Sequence, residues 1–393
     1  DERVAPAIIE GLDSTAGMST SGLREHLDRA VALLDGEVGL GAMPSDLLEM
    51  LADLALAGPG TCAARALSRG RPELGAGTHE VRVAASAIAG AVRSVFNARD
   101  VTTMLRAHSG GETTDEAYWR LVLHYAVDGC LQAVFDEWVH VLVDAYGLRD
   151  AEPHDVLTEL AATMRQGMTV QAVNYGVQDV RWGEDGVSVT SERLRGHFAL
   201  RFGDERSETD QTVQRASSVR VAFNSPFRPF VLATTSVGQE GLDFHTYCHA
   251  VVHWNLPRNP VDLEQREGRV HRYKNHAVRR NLAGAQRRAA LQSDGDPWEE
   301  MFEAAARERD PDMNELFPYW IYPNGDARIE RYVPALPLSR EAQRREELRR
   351  STADYRLVFG QPRQDDLLAY LDGRAAGEDL EEFRIDLNPP TGG

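Results

Sequence analysis

Residues 229–245 read PFVLATTSVGQEGLDFH, and residues 250–281 read AVVHWNLPRNPVDLEQREGRVHRYKNHAVRRN. In the first stretch an apolar run, Val231-Leu232-Ala233, ends in Thr234-Thr235-Ser236; Gly238 and Gly241 follow, with Asp243 two residues on. Hydroxyls and glycines at the carboxyl end of a parallel strand suit close backbone approach to a phosphate, because ligands bind outside that edge of an open α/β sheet. A carboxylate just beyond can accept hydrogen bonds from a ribose or orient an arginine. Alone, this pattern equally describes an ordinary strand and glycine turn. The second stretch is more specific. A strand over 250–254 leads through Pro257 and Asn259-Pro260 into a helix expected over 261–273. On that helix Gln265, Arg269 and Arg272 lie four and three residues apart and share one face, with Gly268 allowing close packing beside them. Two guanidinium forks presented this way suit neutralisation of the charge on a γ-phosphate during phosphoryl transfer. The plainer alternative is a surface helix laced with salt bridges, and the first stretch at this spacing argues against it.

Outward from this block, 168–290 has the texture of a βαβ alternation. Strands are expected over 169–174, 186–190, 197–202, 230–235 and 250–254, with a helix over 212–223, so the sheet should be parallel with crossover helices. Residues 1–167 are helical in period. Leu23, Leu27, Val31 and Leu34 form one stripe and Leu47, Leu48, Leu51 and Leu54 another; Gly58-Pro59-Gly60 breaks the pattern. Helices then resume over 80–96 and 115–147, the latter expected as a packed hairpin of helices. The remainder, 291–393, reads as a mainly helical extension with a charged helix over 339–359, a short helix over 365–371 and a frayed tail.

The chain has 393 residues, 42% of them hydrophobic and 26% charged, as in ordinary soluble proteins with two or three domains. No apolar run reaches the roughly 18 residues of a membrane span, and Asp1 is not followed by a signal-peptide pattern. The expectation is a cytoplasmic fragment whose natural N-terminus lies upstream. Cys62, Cys130 and Cys248 are widely spaced, which suits small buried hydrophobes and excludes a disulfide scaffold. The net charge of −18 argues against a surface coated for nucleic-acid binding. Lys274 is the only lysine.

The block resembles motifs V and VI of superfamily 2 helicases. Residues 235–243, TSVGQEGLD, resemble motif V, and residues 265–272, QREGRVHR, resemble motif VI. Asn259-Pro260 and Leu263-Glu264-Gln265 are most similar to the Swi/Snf-type translocases of bacteria, and Arg215, Val219 and Phe223 resemble the helix leading into such a lobe. The resemblance covers about 195–285. It implies an α/β RecA-like C-terminal lobe of the P-loop NTPase type, preceded by a mainly helical region. It further implies Arg269 and Arg272 as arginine fingers, and Gln265, Gly268, Gly241 and Asp243 at the nucleotide. Thr235 and Ser236 would contact nucleic-acid phosphate. The cofactors implied are ATP and Mg2+, bound mainly by an N-terminal RecA-like lobe. The implied partners are that lobe and DNA, duplex above all, with RNA open. Bacterial motors of this kind are frequent in phage defence and restriction, so that role is expected by association. A regulatory scaffold with a helicase-like lobe and an RNA helicase stay open as alternatives.

A phosphate-binding loop needs a Gly-Lys pair, and the sequence has none. Asp115-Glu116-Ala117-Tyr118 follows a polar run and reads as a helix start, not as the acidic magnesium box. His245, His249 and His253 recur every four residues across a loop and strand, a poor basis for a metal site. Arg344, Arg345, Arg349 and Arg350 alternate with glutamates as on a solvated helix. Tyr319, Trp320 and Tyr322 read as core aromatics, with base stacking as the alternative.

Overall fold

A computed structural model describes residues 4–13, 21–36, 39, 41–108, 116–169, 173–183, 186–196, 210–234, 243–292, 294–310, 315–334 and 339–358. Helices α1 (Val4–Asp13), α2 (Ser21–Leu34), α3 (Leu47–Ala57), α4 (Pro59–Gly70), α5 (His79–Phe96), α6 (Arg99–His108), α7 (Tyr118–Asp128), α8 (Leu131–Ala145) and α9 (Pro153–Met168) precede all strands. Small residues on α4 and α5 let these helices approach closely. Ala63, Ala66 and Leu67 of α4 meet Val81, Ala85 and Ile88 of α5, and Phe135 and Trp138 of α8 close the cluster with Leu160 and Met164 of α9. Truncating one of its large side chains would cost roughly 3–5 kcal/mol. Residues 47–70 are apolar enough and long enough for a membrane span. Gly58 and Pro59 nonetheless divide them into two helices, and α4 buries its face in this core.

One helical expectation and one cysteine expectation are corrected. The stretch 115–147 is not a packed helical hairpin: α7 packs mainly on α3 and α6, while α8 packs on α4, α9 and α13 (Pro297–Arg307). Cys130, at the joint with φ 49°, turns the chain and is exposed, whereas Cys62 is buried.

The second half contains an antiparallel ribbon of β1 (Val173–Gly183) and β2 (Gly186–Gly196), then α10 (Asp210–Phe223), β3 (Ala250–Val252), α11 (Pro260–Gly268) and α12 (His276–Gln292). Beyond α13 come β4 (Glu330–Tyr332) and α14 (Glu341–Val358). β3 pairs in parallel with β4, Val251 opposite Arg331. Among the described residues this two-stranded sheet is the parallel sheet; the larger one expected is not there. Of the expected strand 169–174, Thr169 caps α9, 170–172 lie outside the described residues and 173–174 begin β1, while 186–190 belongs to the antiparallel ribbon. Residues 230–234 take no strand pairing, and 197–202 lies outside the described residues. The helix expected over 261–273 ends at Gly268.

The halves are joined. α10 packs on α9 and α13 on α8, and Phe227 and Tyr247 lie against the helical core. α12 and α13 form a second cluster around Leu282, Phe302 and Phe317. α14 lays Leu348 on Leu256 and Leu263, covering the buried side of α11.

Candidate nucleotide-facing site

α11 starts where its sequence dictates. Asn259 is extended and its side chain accepts from the Asp262 amide at 2.8 Å, while Pro260 takes the first helical position, where no amide partner is needed. The helix is fastened from below through Glu267. Its carboxylate accepts from Arg331 of β4 at 2.5 Å and meets His253, the residue after β3, at 3.0 Å. Burial raises the pKa of Glu267, but the hydrogen bonds from His253 and Arg331 outweigh it and hold the carboxyl below its ordinary range.

Beyond Gly268 the chain leaves the helix. Val270 and His271 both donate to the Glu267 carbonyl, at 2.9 and 3.0 Å, and the backbone turns through Arg269 to Lys274, which sits at φ 48°. Gln265, Arg269 and Arg272 therefore do not share one helical face. Gln265 stands exposed on α11, Arg269 caps its end, and Arg272 lies on the following turn. Gly268 makes no close approach either: apart from its chain neighbours and the backbone of its own helix, no described atom lies within 4 Å of where a Cβ would sit.

The turn brings Arg272 to Asp243, Nη2 to Oδ1 at 3.1 Å, with both side chains about half exposed. Two hydrogen bonds to backbone carbonyls fix this pairing. The Phe244 amide donates to the Arg269 carbonyl at 3.2 Å, and Asn224 at the end of α10 donates its side-chain amide to the Asp243 carbonyl at 2.8 Å. Half-exposed ion pairs are worth at most about 1 kcal/mol, so an incoming anion can take Arg272 from Asp243 at little cost. Thr235, Ser236 and Gly241 lie outside the described residues.

His245, two residues after Asp243, is pushed down to about 4 by burial; Asp243 opposes the shift, and the Arg279 and Arg272 guanidinium groups add to it. His276 is also pushed down to about 4, again by burial first and then by Arg279. His245, His249 and His253 do not converge: His253 serves Glu267, and His249 lies beside His276 with ring centres 5.3 Å apart. Among the described residues no group of three His, Cys, Asp or Glu is placed to hold a metal.

Several residues of this site carried no motif. Lys274 is buried; its ammonium contacts the Asp144 carboxylate and lies 3.0 Å from His140 Nε2 and 4.5 Å from the centre of the Phe302 ring. Burial lowers its pKa and Asp144 opposes that shift. Arg279, 1% exposed, donates to Glu137, to the Lys274 carbonyl and to the Thr246 carbonyl. The one signal available in the sequence was the spacing of Glu137, His140 and Asp144, one face of α8. Tyr322 is buried and stacked on Phe317, and Tyr319 stacks on Phe302 and Tyr273.

Residues 204–274 match the family model of the helicase conserved C-terminal domain. A domain of this family has a RecA-like fold, belongs to helicase-type ATPases and engages nucleic acid, with ATP and metal dependence as general properties of the family. The match takes in α10, β3, α11 and the Arg269–Lys274 turn, and it ends on the lone lysine. No curated protein and no solved structure matches the chain.

Proposed function

We propose that this chain supplies the C-terminal motor lobe of an ATP-dependent DNA translocase or helicase of the Swi/Snf type, with Arg269 and Arg272 as arginine fingers. The observation that carries the reading is the Asp243–Arg272 pair, which sets the end of motif V against the end of motif VI on an exposed surface. A guanidinium held by a weak, half-solvated ion pair fits a triphosphate: the phosphate replaces Asp243, and the freed carboxylate can accept from a ribose. Gln265, exposed on the neighbouring turn of α11, would reach the same nucleotide. Thr235 and Ser236 would face the nucleic-acid backbone. ATP bound here with Mg2+ supplies the transferable phosphoryl group.

The phosphate-cradling lysine and the metal-binding acids would come from a facing lobe. Lys274 is committed to Asp144 on the far side of the turn, and no Gly-Lys pair exists to form a phosphate loop. An arginine finger acts on charge that develops in the transition state. In the protein assembled with its nucleotide-binding lobe, Arg272→Ala should therefore lower ATP turnover by about 10³ while changing ATP affinity less than about tenfold. Arg272→Lys should rescue little, since a point charge does not reproduce the fork. Arg350→Ala, on exposed α14, should be neutral. Turnover of Arg272→Ala close to wild type would refute the finger assignment.

A further inference from the structure

The turn carrying Arg272 is anchored outside its own lobe. We propose that α8, in the helical region, positions the Arg272 turn, acting through Arg279 and Lys274. The role assigned to Arg272 rests on the function proposed above; the anchoring rests on geometry alone. Arg279 Nε donates to Glu137 Oε1 of α8 at 2.7 Å, its Nη1 donates to the Lys274 carbonyl at 2.6 Å, and its Nη2 donates to the Thr246 carbonyl. Thr246 stands three residues after Asp243, and Lys274 stands two residues after Arg272. One buried guanidinium thus holds the chain on both sides of the Asp243–Arg272 pair and ties it to α8.

A second tether runs one turn further along the same helix. Lys274 reaches Asp144, and lies 3.0 Å from His140, whose other ring nitrogen lies 2.6 Å from Asp296 at the start of α13. The Lys274 amide donates to the Tyr319 carbonyl at 2.7 Å, which fixes the left-handed residue where the turn reverses. Glu137, His140 and Asp144 thereby spend one face of α8 on the turn. Asp136, four residues before His140 on the same helix, is spent elsewhere: it pairs with Arg69 of α4 at 2.6 Å. Buried charges that lose a partner are costly, so α8, Arg279, Lys274 and the turn move as a unit. A shift of α8 as a rigid helix would carry Arg272 with it, and misplacement of a transition-state group by about 1 Å can cost a hundredfold in rate.

Three variants of the chain, assembled with its nucleotide-binding lobe, test this. Glu137→Gln keeps shape and removes charge, Lys274→Met removes the second tether, and Asp136→Asn disturbs the same helix at its ion pair with α4, leaving both tethers in place. Amide hydrogen exchange over 269–276 should rise about tenfold in the first two and stay at the wild-type level in the third. Turnover should fall about a hundredfold in the first two, with KM for ATP unchanged. The proposal is overturned if exchange over 269–276 is unaltered by Glu137→Gln and Lys274→Met, or rises equally in Asp136→Asn. It is also overturned if exchange rises, turnover holds, and Arg272→Ala abolishes turnover. If Arg272→Ala is harmless as well, the finger assignment has failed and the tether to α8 stands.

Discussion

Asn281, the last residue of the stretch 250–281, shows what a single side chain fixes. Its Nδ2 donates to the Ala327 carbonyl at 3.0 Å and to the Tyr322 carbonyl at 3.3 Å, and its Oδ1 accepts from the Ala327 amide at 2.9 Å. The loop that leads into β4 is thus hung on α12. Gly325, within that loop, sits at φ +145°, and a Cβ there would lie 2.2 Å from Asn281 Oδ1. Asn281 is held at both ends of its amide and has no room to yield. Gly325→Ala should therefore destabilise the chain by on the order of 3 kcal/mol, combining backbone strain with a broken buried bond. Gly147→Ala, at φ +61° but with open space around it, should cost only about 1 kcal/mol. Urea midpoints of the two variants check this, and equal losses would contradict the clash. At this scale the sequence was partly legible. Arg272 and Asp243 were singled out and stand together. The buried contacts of Lys274, Arg279 and Glu137 are not legible, because an ion pair such as Arg279–Glu137, 142 residues apart in sequence, leaves no local pattern.

Elements show the same division. The start of α11 was legible because capping is local: Asn-Pro sets the first turn whatever packs around it. Asn259→Ala should cost about 1 kcal/mol, whereas Asn259→Asp, which keeps the acceptor, should cost little; thermal melting of both variants checks this. The end of the helix was not legible. The pattern from Val261 to Tyr273 remains compatible with a helix, and what stops it is distant: Lys274 turns over to reach Tyr319, and Arg269 is engaged by Phe244. Strands fared likewise. The apolar run Val231-Leu232-Ala233 has strand composition but takes no strand pairing, while polar Glu330-Arg331-Tyr332 is a strand because β3 lies beside it. Strand identity is a property of the pair, so single-strand composition misses it. Leu348, on a helix otherwise rich in charge, docks α14 on Leu256 and Leu263.

Over the whole molecule the titration of two partly buried histidines sets the response to acid. His245 and His276 lie on the two segments that the anchoring brings together, joined by a bond from the His276 amide to the His245 carbonyl at 3.3 Å. The Nδ1 atom of each ring is buried and has no hydrogen-bond partner among the described residues. Both are held to about 4 against an ordinary 6.5. Below 6.5 the unfolded chain therefore takes up protons that the folded chain refuses. Stability is complete above about pH 6.5, falls as the pH drops from there to about 4, and levels off below as the folded histidines protonate. Each histidine contributes on the order of 3 kcal/mol across that window. The net charge of −18 pulls the other way, since protonating surface carboxylates relieves repulsion, but those groups titrate near 4, at the foot of the window. The lowered carboxyls of Asp144 and Glu267 also lose their contribution only at that lower end. Between pH 7 and pH 5 the histidines dominate, and Tm should fall by roughly 5–10 °C. His245→Asn and His276→Asn should each lower Tm at pH 7 and each remove about half of the slope between pH 7 and pH 5. A wild-type Tm that is flat over this range would mean that neither ring is held neutral, and that the two segments meet less closely than their backbone bond requires.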